Sequence, residues 1–203
     1  RRRDVASVHP MALRPAVRWK HIIWDWNGTL LDDAHLCVQV LGELMEERGL
    51  DPINLATYRD SFNFPVIHFY RSLGFELSER EFERISDRFI RRYHELATEC
   101  RLHPGAREFL HDLRGAGVSS SVLSAALHAD LERAIRRFGL EGVFESLSGA
   151  DDIFAHGKIE QGRRWIEGQG RFETADVVLV GDTLHDFEVA RAMGVDCLLV
   201  AHG

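Results

Sequence analysis

The stretch from His21 to Asp33, HIIWDWNGTLLDD, constrains the fold of this chain more than any other. Residues 21–24 have the apolar, β-branched and aromatic character of a buried strand. The run stops at a carboxylate, Asp25, and Asn27-Gly28-Thr29 follows as a turn whose glycine is free to take positive φ. Open α/β sheets place ligands and chemistry at the carboxyl ends of their strands. Asp25 is therefore either an acid that merely ends a strand or one member of a site completed by later strand ends.

The rest of the chain alternates strands with helices, apart from one block. Ala34 to Leu50 carries Leu36, Val40 and Leu44 at helical spacing and ends at Gly49. Pro52 to Phe64 is less regular, and Val66 to Leu73 reads as a helix stopped by Gly74. Ser78 with Glu81 three residues on is a capping box opening a long helix through Tyr93. Residues 33–100 thus read as all-helical. After Pro104-Gly105 and a helix through Leu113, the βα pattern resumes. Strands are expected over Ser119–Leu123, ending at Ser124, around Ser146–Ser148, over Asp176–Val180 and over Cys197–Val200. Helices are expected over His128–Phe138, Lys158–Ile166 and His185–Met193. The pattern predicts an α/β fold, a doubly wound, Rossmann-like parallel sheet of about five strands with an inserted helical block. Its segments are a core over 20–32 and 101–203, the insertion over 33–100, and a basic tail over 1–19.

Several function classes fall away on composition. A net charge of −7 argues against non-specific nucleic-acid binding, which needs a net-basic surface. No apolar run is long enough for a membrane helix. Cys37, Cys100 and Cys197 are scattered and form no CxxC pair, which suits incidental thiols in a reducing cytoplasm better than a disulfide framework or zinc site.

Four later positions carry groups able to join Asp25: Ser124, Lys158, Asp182 and Asp186. Singly, each has an ordinary explanation as a cap, a solvated cation or an acid offsetting a helix dipole. On one parallel sheet they converge at its carboxyl edge. A carboxylate nucleophile, a hydroxyl donor, a cation and two spare carboxylates are what phosphoryl transfer requires.

In these motifs the chain resembles the haloacid dehalogenase superfamily. Ile22-Ile23-Trp24-Asp25-Trp26-Asn27-Gly28-Thr29 is similar to its first motif, hhhhDxDGT, with one departure. Val122-Leu123-Ser124 resembles the second and Gly157-Lys158 the third. Gly181-Asp182-Thr183-Leu184-His185-Asp186 matches the fourth, GDxxxD, and the order is kept over residues 20–203. The helical block resembles the inserted cap of the phosphoglycolate-phosphatase-like branch, and His103-Pro104-Gly105 its return to the core.

The resemblance implies that Asp25 attacks phosphorus and becomes an aspartyl-phosphate. Gly28, Thr29, Ser124, Ala125 and Lys158 would bind the phosphoryl group. Mg²⁺ would sit on the Asp25 carboxylate, the Asn27 backbone carbonyl and Asp182, with Asp186 ligating directly, acting through water or holding Lys158. The expected substrate is a small phosphorylated metabolite, admitted under the cap.

Two departures stand out. Ala125-Ala126 follows Ser124 where the family often has an asparagine, so one side-chain contact is expected to be lost. The larger departure is Asn27, where family phosphatases carry a second aspartate that protonates the leaving oxygen. An amide cannot do this, and losing a general acid/base costs about 10²–10⁴ in rate. His185 is a first candidate substitute, with His68, and Arg59 and Asn63 as candidate substrate contacts in the insertion. The alternatives are a non-catalytic phosphometabolite-binding protein and a metal-independent 2-haloacid dehalogenase. Asn27-Gly28 is also a deamidation-prone pair whose conversion would restore the usual motif.

Overall fold

The computed structural model describes residues 18–154 and 157–201. The basic tail lies outside these residues except for Arg18 and Trp19. Both reach Asp196, Arg18 at 3.1 Å and the Trp19 indole donating at 2.7 Å.

The strands are β1 His21–Trp24, β2 Leu31–Asp32, β3 Arg101–Leu102, β4 Ser119–Leu127, β5 Leu147–Ala150, β6 Val177–Gly181 and β7 Asp196–Leu199. Five of them form one parallel sheet in the order β5-β4-β1-β6-β7. β1 is central, with Trp24 paired to Val122 on one side and Val180 on the other. Side chains alternate across a strand, so successive residues serve opposite faces. Ile23 and Leu179 pack with Val189, Ala190 and Met193 of helix α8, Leu184–Met193. Ile22, Trp24, Val178 and Val180 face the other way. There they share a core with Leu110 of α5, Ala106–Gly115, and Leu131 of α6, His128–Arg137. With helices on both faces, every residue of β1 and β6 is buried, which is why these strands read as continuous apolar runs. Helix α7, Ile159–Gln169, completes the α8 side.

Between β2 and β3 the chain is helical: α1 Ala34–Glu46, α2 Leu55–Ser61, α3 Val66–Ser72 and α4 Glu79–Leu96. Ser78 and Glu81 form both bonds of the capping box at the start of α4. The segment expected to be irregular contains α2, capped by Asn54, whose side chain accepts from the Thr57 amide at 2.9 Å. β2 and β3 pair antiparallel where the chain leaves and rejoins the core, with Leu31 opposite Leu102. Two residues each are too short to show a period, so this ribbon was not legible in the sequence. Among the described residues no helix is long and apolar enough to cross a membrane.

His21 opens the central strand fully buried, stacked 5.0 Å from Trp165 with Phe172 at 4.9 Å. Nδ1 meets the Ser119 hydroxyl at 2.6 Å, and Nε2 is buried without a partner. Burial therefore holds the ring neutral, lowering its pKa from 6.5 to about 4. In this window the unfolded chain binds more protons than the folded one, so stability falls as pH drops from about 6.5 toward 4. The loss is on the order of 3 kcal/mol at full protonation. Urea titrations across pH 4–7 check this: His21→Phe should flatten the dependence over that interval.

Candidate active site

Asp25 follows β1 directly, and its amide donates to the Val180 carbonyl at 2.8 Å, so its position is set by the neighbouring strand. Lys158 caps α7 at the sheet's carboxyl edge and is 2% exposed. Its ammonium lies 2.5 Å from Asp25 Oδ1, 2.6 Å from Asp186 Oδ1 and 3.2 Å from the Leu123 carbonyl. The Asp186 contact is an ion pair. The other Asp186 oxygen accepts from the Thr183 amide at 3.0 Å and hydroxyl at 2.7 Å, closing a capping box on α8. Asp186 is thus tied to both Lys158 and the start of its own helix.

Asp182 directly follows β6 and accepts from the Thr29 hydroxyl at 2.8 Å, whose oxygen is 3.5 Å from Asp25 Oδ2. Gly28 makes this approach possible. Its φ is +75°, and a Cβ there would sit 2.5 Å from Asp182 Oδ2. Ser124 is buried, and its hydroxyl oxygen accepts from the Ala126 amide at 3.0 Å. This corrects the expected strand end: β4 continues to Leu127, with an irregular register after Leu123.

Oxygen atoms of Asp25, Asp182 and Asp186 lie within 4.8 Å of one another. Burial raises the Asp25 carboxyl well above the usual range, Lys158 opposes this, and Asp186 and Asp182 add to it. Burial also raises Asp182. Burial disfavours the Asp186 charge too, but Lys158 and the Thr183 donors together outweigh it and hold its pKa below the ordinary carboxylate value. Three carboxyl groups share one ammonium, so the cluster has more acidic groups than cations to pair them. An all-oxygen, hard and anionic donor set of this kind fits a divalent cation such as Mg²⁺.

Asn27 stands beside a buried acid that the sequence did not single out. Its side-chain nitrogen donates to Asp33 Oδ2 at 2.6 Å and to the Tyr93 hydroxyl at 3.2 Å. Tyr93, on α4, donates to the same Asp33 oxygen at 2.6 Å, and the Gly28 amide donates to Asp33 Oδ1 at 3.0 Å. Asp33 stands at the N-cap of α1 yet makes no capping bond, because its carboxylate is turned into this network. Burial raises its pKa, against the pull of its donors. His103 adds a further clamp, its Nε2 donating to the Gly28 carbonyl at 3.1 Å. The Asp32-Asp33 pair was the one visible signal; Tyr93 and His103 lie too far away in sequence to be placed beside Asn27.

His185 has both ring nitrogens engaged. Nε2 accepts from the Lys158 amide at 3.0 Å, and Nδ1 faces Glu188 at 3.2 Å. Burial lowers its pKa. Its place is behind Lys158, and Gly157 is required there because a Cβ would come within 2.8 Å of the ring. Arg59, Asn63 and His68 are exposed and do not line the cavity.

That cavity, about 460 Å³, runs from Asp25, Asn27, Ser124, Lys158 and Asp182 to the underside of the helical insertion. A family model for haloacid dehalogenase-like hydrolases matches residues 22–200. The chain belongs to the haloacid dehalogenase-like hydrolase family. The chain is similar to the phosphoglycolate phosphatase of Synechococcus elongatus, 26% identical over 90% of this chain and 84% of that protein. Tyrosine-protein kinase PtkA of Mycobacterium tuberculosis is 28% identical over 90% of this chain, which spans 62% of that protein. Its solved structure superposes with a TM-score of 0.70, covering 92% of this chain and 85% of that one. A haloacid dehalogenase-like family protein from Streptococcus pneumoniae shares the fold at 17% identity, with a TM-score of 0.75 over 92% and 86% of the two chains.

Proposed function

We propose that this hydrolase is a Mg²⁺-dependent phosphomonoesterase acting on a small phosphorylated metabolite through an aspartyl-phosphate on Asp25. The observation that carries the reading is Lys158, buried between Asp25 and Asp186 beside Asp182, at the floor of a cavity large enough for a small molecule. Phosphatases and a tyrosine kinase among the relatives have the handling of a phosphoryl group in common.

Each residue has a task in this reading. Asp25 supplies the attacking oxygen, and Lys158 holds its carboxylate and then the phosphoryl oxygens as a point charge. Ser124 has its oxygen occupied by the Ala126 amide, which leaves its proton for a phosphoryl oxygen. Thr29 links the Asp25 loop to Asp182, and Gly28 allows the loop to lie close. Asp25, Asp182 and the Asn27 carbonyl would hold the cation, with Asp186 anchoring Lys158. Bound there, a divalent cation offsets the repulsion between an anionic nucleophile and an anionic substrate. The helices of residues 33–100 would serve as a cap that excludes water and selects the substrate.

The test is release of inorganic phosphate from 4-nitrophenyl phosphate. Activity should need Mg²⁺, disappear with a chelator and return when Mg²⁺ is added in excess. Chloride release from 2-chloropropionate without metal would replace this reading with a dehalogenase. Binding of phosphate without turnover of any ester would replace it with a binding protein.

A further inference from the structure

Much of the cavity wall is aromatic. Tyr58 and Phe62 of the α2 segment, Phe82, Phe89 and Tyr93 of α4, and Phe154 all line it. Tyr58 and Phe62 are stacked at 5.1 Å, and Phe89 and Tyr93 at 6.3 Å. Such walls favour a flat apolar group, held through offset and edge-to-face contacts.

Charge tells the same story by a separate route. A metabolite with a second anionic group needs a cation beyond the phosphoryl site. Besides Lys158, the basic side chains lining the cavity, His94 of α4 and Arg133 and Arg137 of α6, are already engaged among the described residues. Arg137 donates to the carbonyls of Ala97, Thr98 and Cys100. Arg133 donates to Asp130, and His94 meets the other oxygen of that acid at 2.7 Å. Lys158 serves the phosphoryl end.

Leaving-group chemistry supplies the third argument. Asn27 stands where a proton donor would, and an amide gives none. The departing oxygen must then leave as an anion. A phenol, with a pKa of about 10, does this far more readily than an aliphatic alcohol, whose pKa lies near that of water at about 15.7.

We infer that the substrate is an aryl phosphomonoester, its ring seated among Phe62, Phe89, Tyr93 and Phe154 and its phosphoryl group at Asp25. This deepens the phosphomonoesterase reading and rests on it. An Asp25 carboxylate oxygen forms a bond to phosphorus as the bond from phosphorus to the aryl oxygen breaks. That oxygen leaves with the electron pair as a phenolate and takes its proton from water. A second water then attacks phosphorus, the bond to Asp25 breaks, and phosphate and a proton are released. The sum is ester plus water to phenol plus hydrogen phosphate.

The experiment compares kcat/KM for acetyl phosphate, phenyl phosphate, 2-naphthyl phosphate, phosphoglycolate and glycerol 3-phosphate with Mg²⁺. Acetyl phosphate has a good leaving group and no ring, so it reports the phosphoryl-transfer machinery alone. Phenyl phosphate should exceed phosphoglycolate and glycerol 3-phosphate by about 10²-fold or more. Naphthyl should exceed phenyl by roughly five- to tenfold through its extra apolar area. In Phe89→Ser the ratio of 2-naphthyl to acetyl phosphate turnover should fall about tenfold. Turnover of acetyl phosphate with either aliphatic ester within tenfold of phenyl phosphate overturns the aryl assignment and leaves the phosphomonoesterase standing. An unchanged ratio in Phe89→Ser overturns the placement of the ring. No turnover of acetyl phosphate or any ester overturns the phosphomonoesterase itself.

Discussion

Asp25→Asn is expected to reduce phosphate release from 4-nitrophenyl phosphate by about 10⁴-fold or more, because it removes the attacking oxygen rather than a supporting contact. The fold should survive. Asp25 is held by a backbone bond to Val180, and Lys158 keeps its ion pair with Asp186 and its bond to the Leu123 carbonyl. Replacement also removes a carboxyl that burial disfavours as a charge, so no isolated charge is created. A melting curve close to that of the parent, together with lost turnover, is the expected pair of results. Retained turnover would place the nucleophile elsewhere.

The second large effect concerns Asn27 and Asp33 as a pair. On sequence grounds Asn27→Asp is expected to restore the missing acid. The structure changes that expectation, since the group replaced lies 2.6 Å from Asp33 Oδ2. Two carboxyl groups in such contact cannot both ionise, so one must keep a proton and its pKa rises. For an acid whose folded pKa is raised, the unfolded chain loses its proton first. Stability of Asn27→Asp should therefore fall as pH rises above the ordinary carboxylate range. The exchange Asn27→Asp with Asp33→Asn keeps one amide and one carboxyl in contact and moves the acid toward the substrate. Turnover of phosphoglycolate should rise about 10²–10⁴-fold in the double exchange, with a much smaller gain for 4-nitrophenyl phosphate, whose leaving group needs no proton. Kinetics on both esters, with melting curves from pH 5 to 8, decide the matter. If the single change gives the full gain without loss of stability, Asp33 has no such hold on Asn27. Deamidation is disfavoured by the same contacts. The Gly28 nitrogen that would attack the Asn27 side chain donates to the Leu31 carbonyl at 2.9 Å and to Asp33 at 3.0 Å.

The contrast between Asn27 and Lys158 shows where sequence reasoning holds and where it stops. Lys158 was recognisable because it opens a helix after a parallel strand, and βα units bring such positions to one edge of a sheet. Once β1, β4 and β6 were placed side by side, Asp25, Ser124, Lys158, Asp182 and Asp186 had nowhere else to go. Asn27 was visible as a departure, but its consequence depends on Tyr93, 66 residues away on α4. His185 is the opposite case. Its residue type suited acid/base work, whereas its neighbours commit both nitrogens to Lys158 and Glu188.

The sequence alone determined the parallel sheet, the helical insertion and the convergence of Asp25, Ser124, Lys158, Asp182 and Asp186 on one sheet edge. Local period and strand-end position suffice for these, because a sheet buried on both faces admits few arrangements. Tertiary structure alone decided which groups face the cavity and which are already spoken for. Arg59, Asn63 and His68 lie outside it, Phe62 and Phe89 line it, and Asp33 takes hold of the Asn27 amide. Those outcomes depend on how four helices pack over one loop, through contacts between residues distant in the chain that no local pattern records. The motif at Asp25 follows from its own strand and turn; what the amide two residues later means follows from the helix above it.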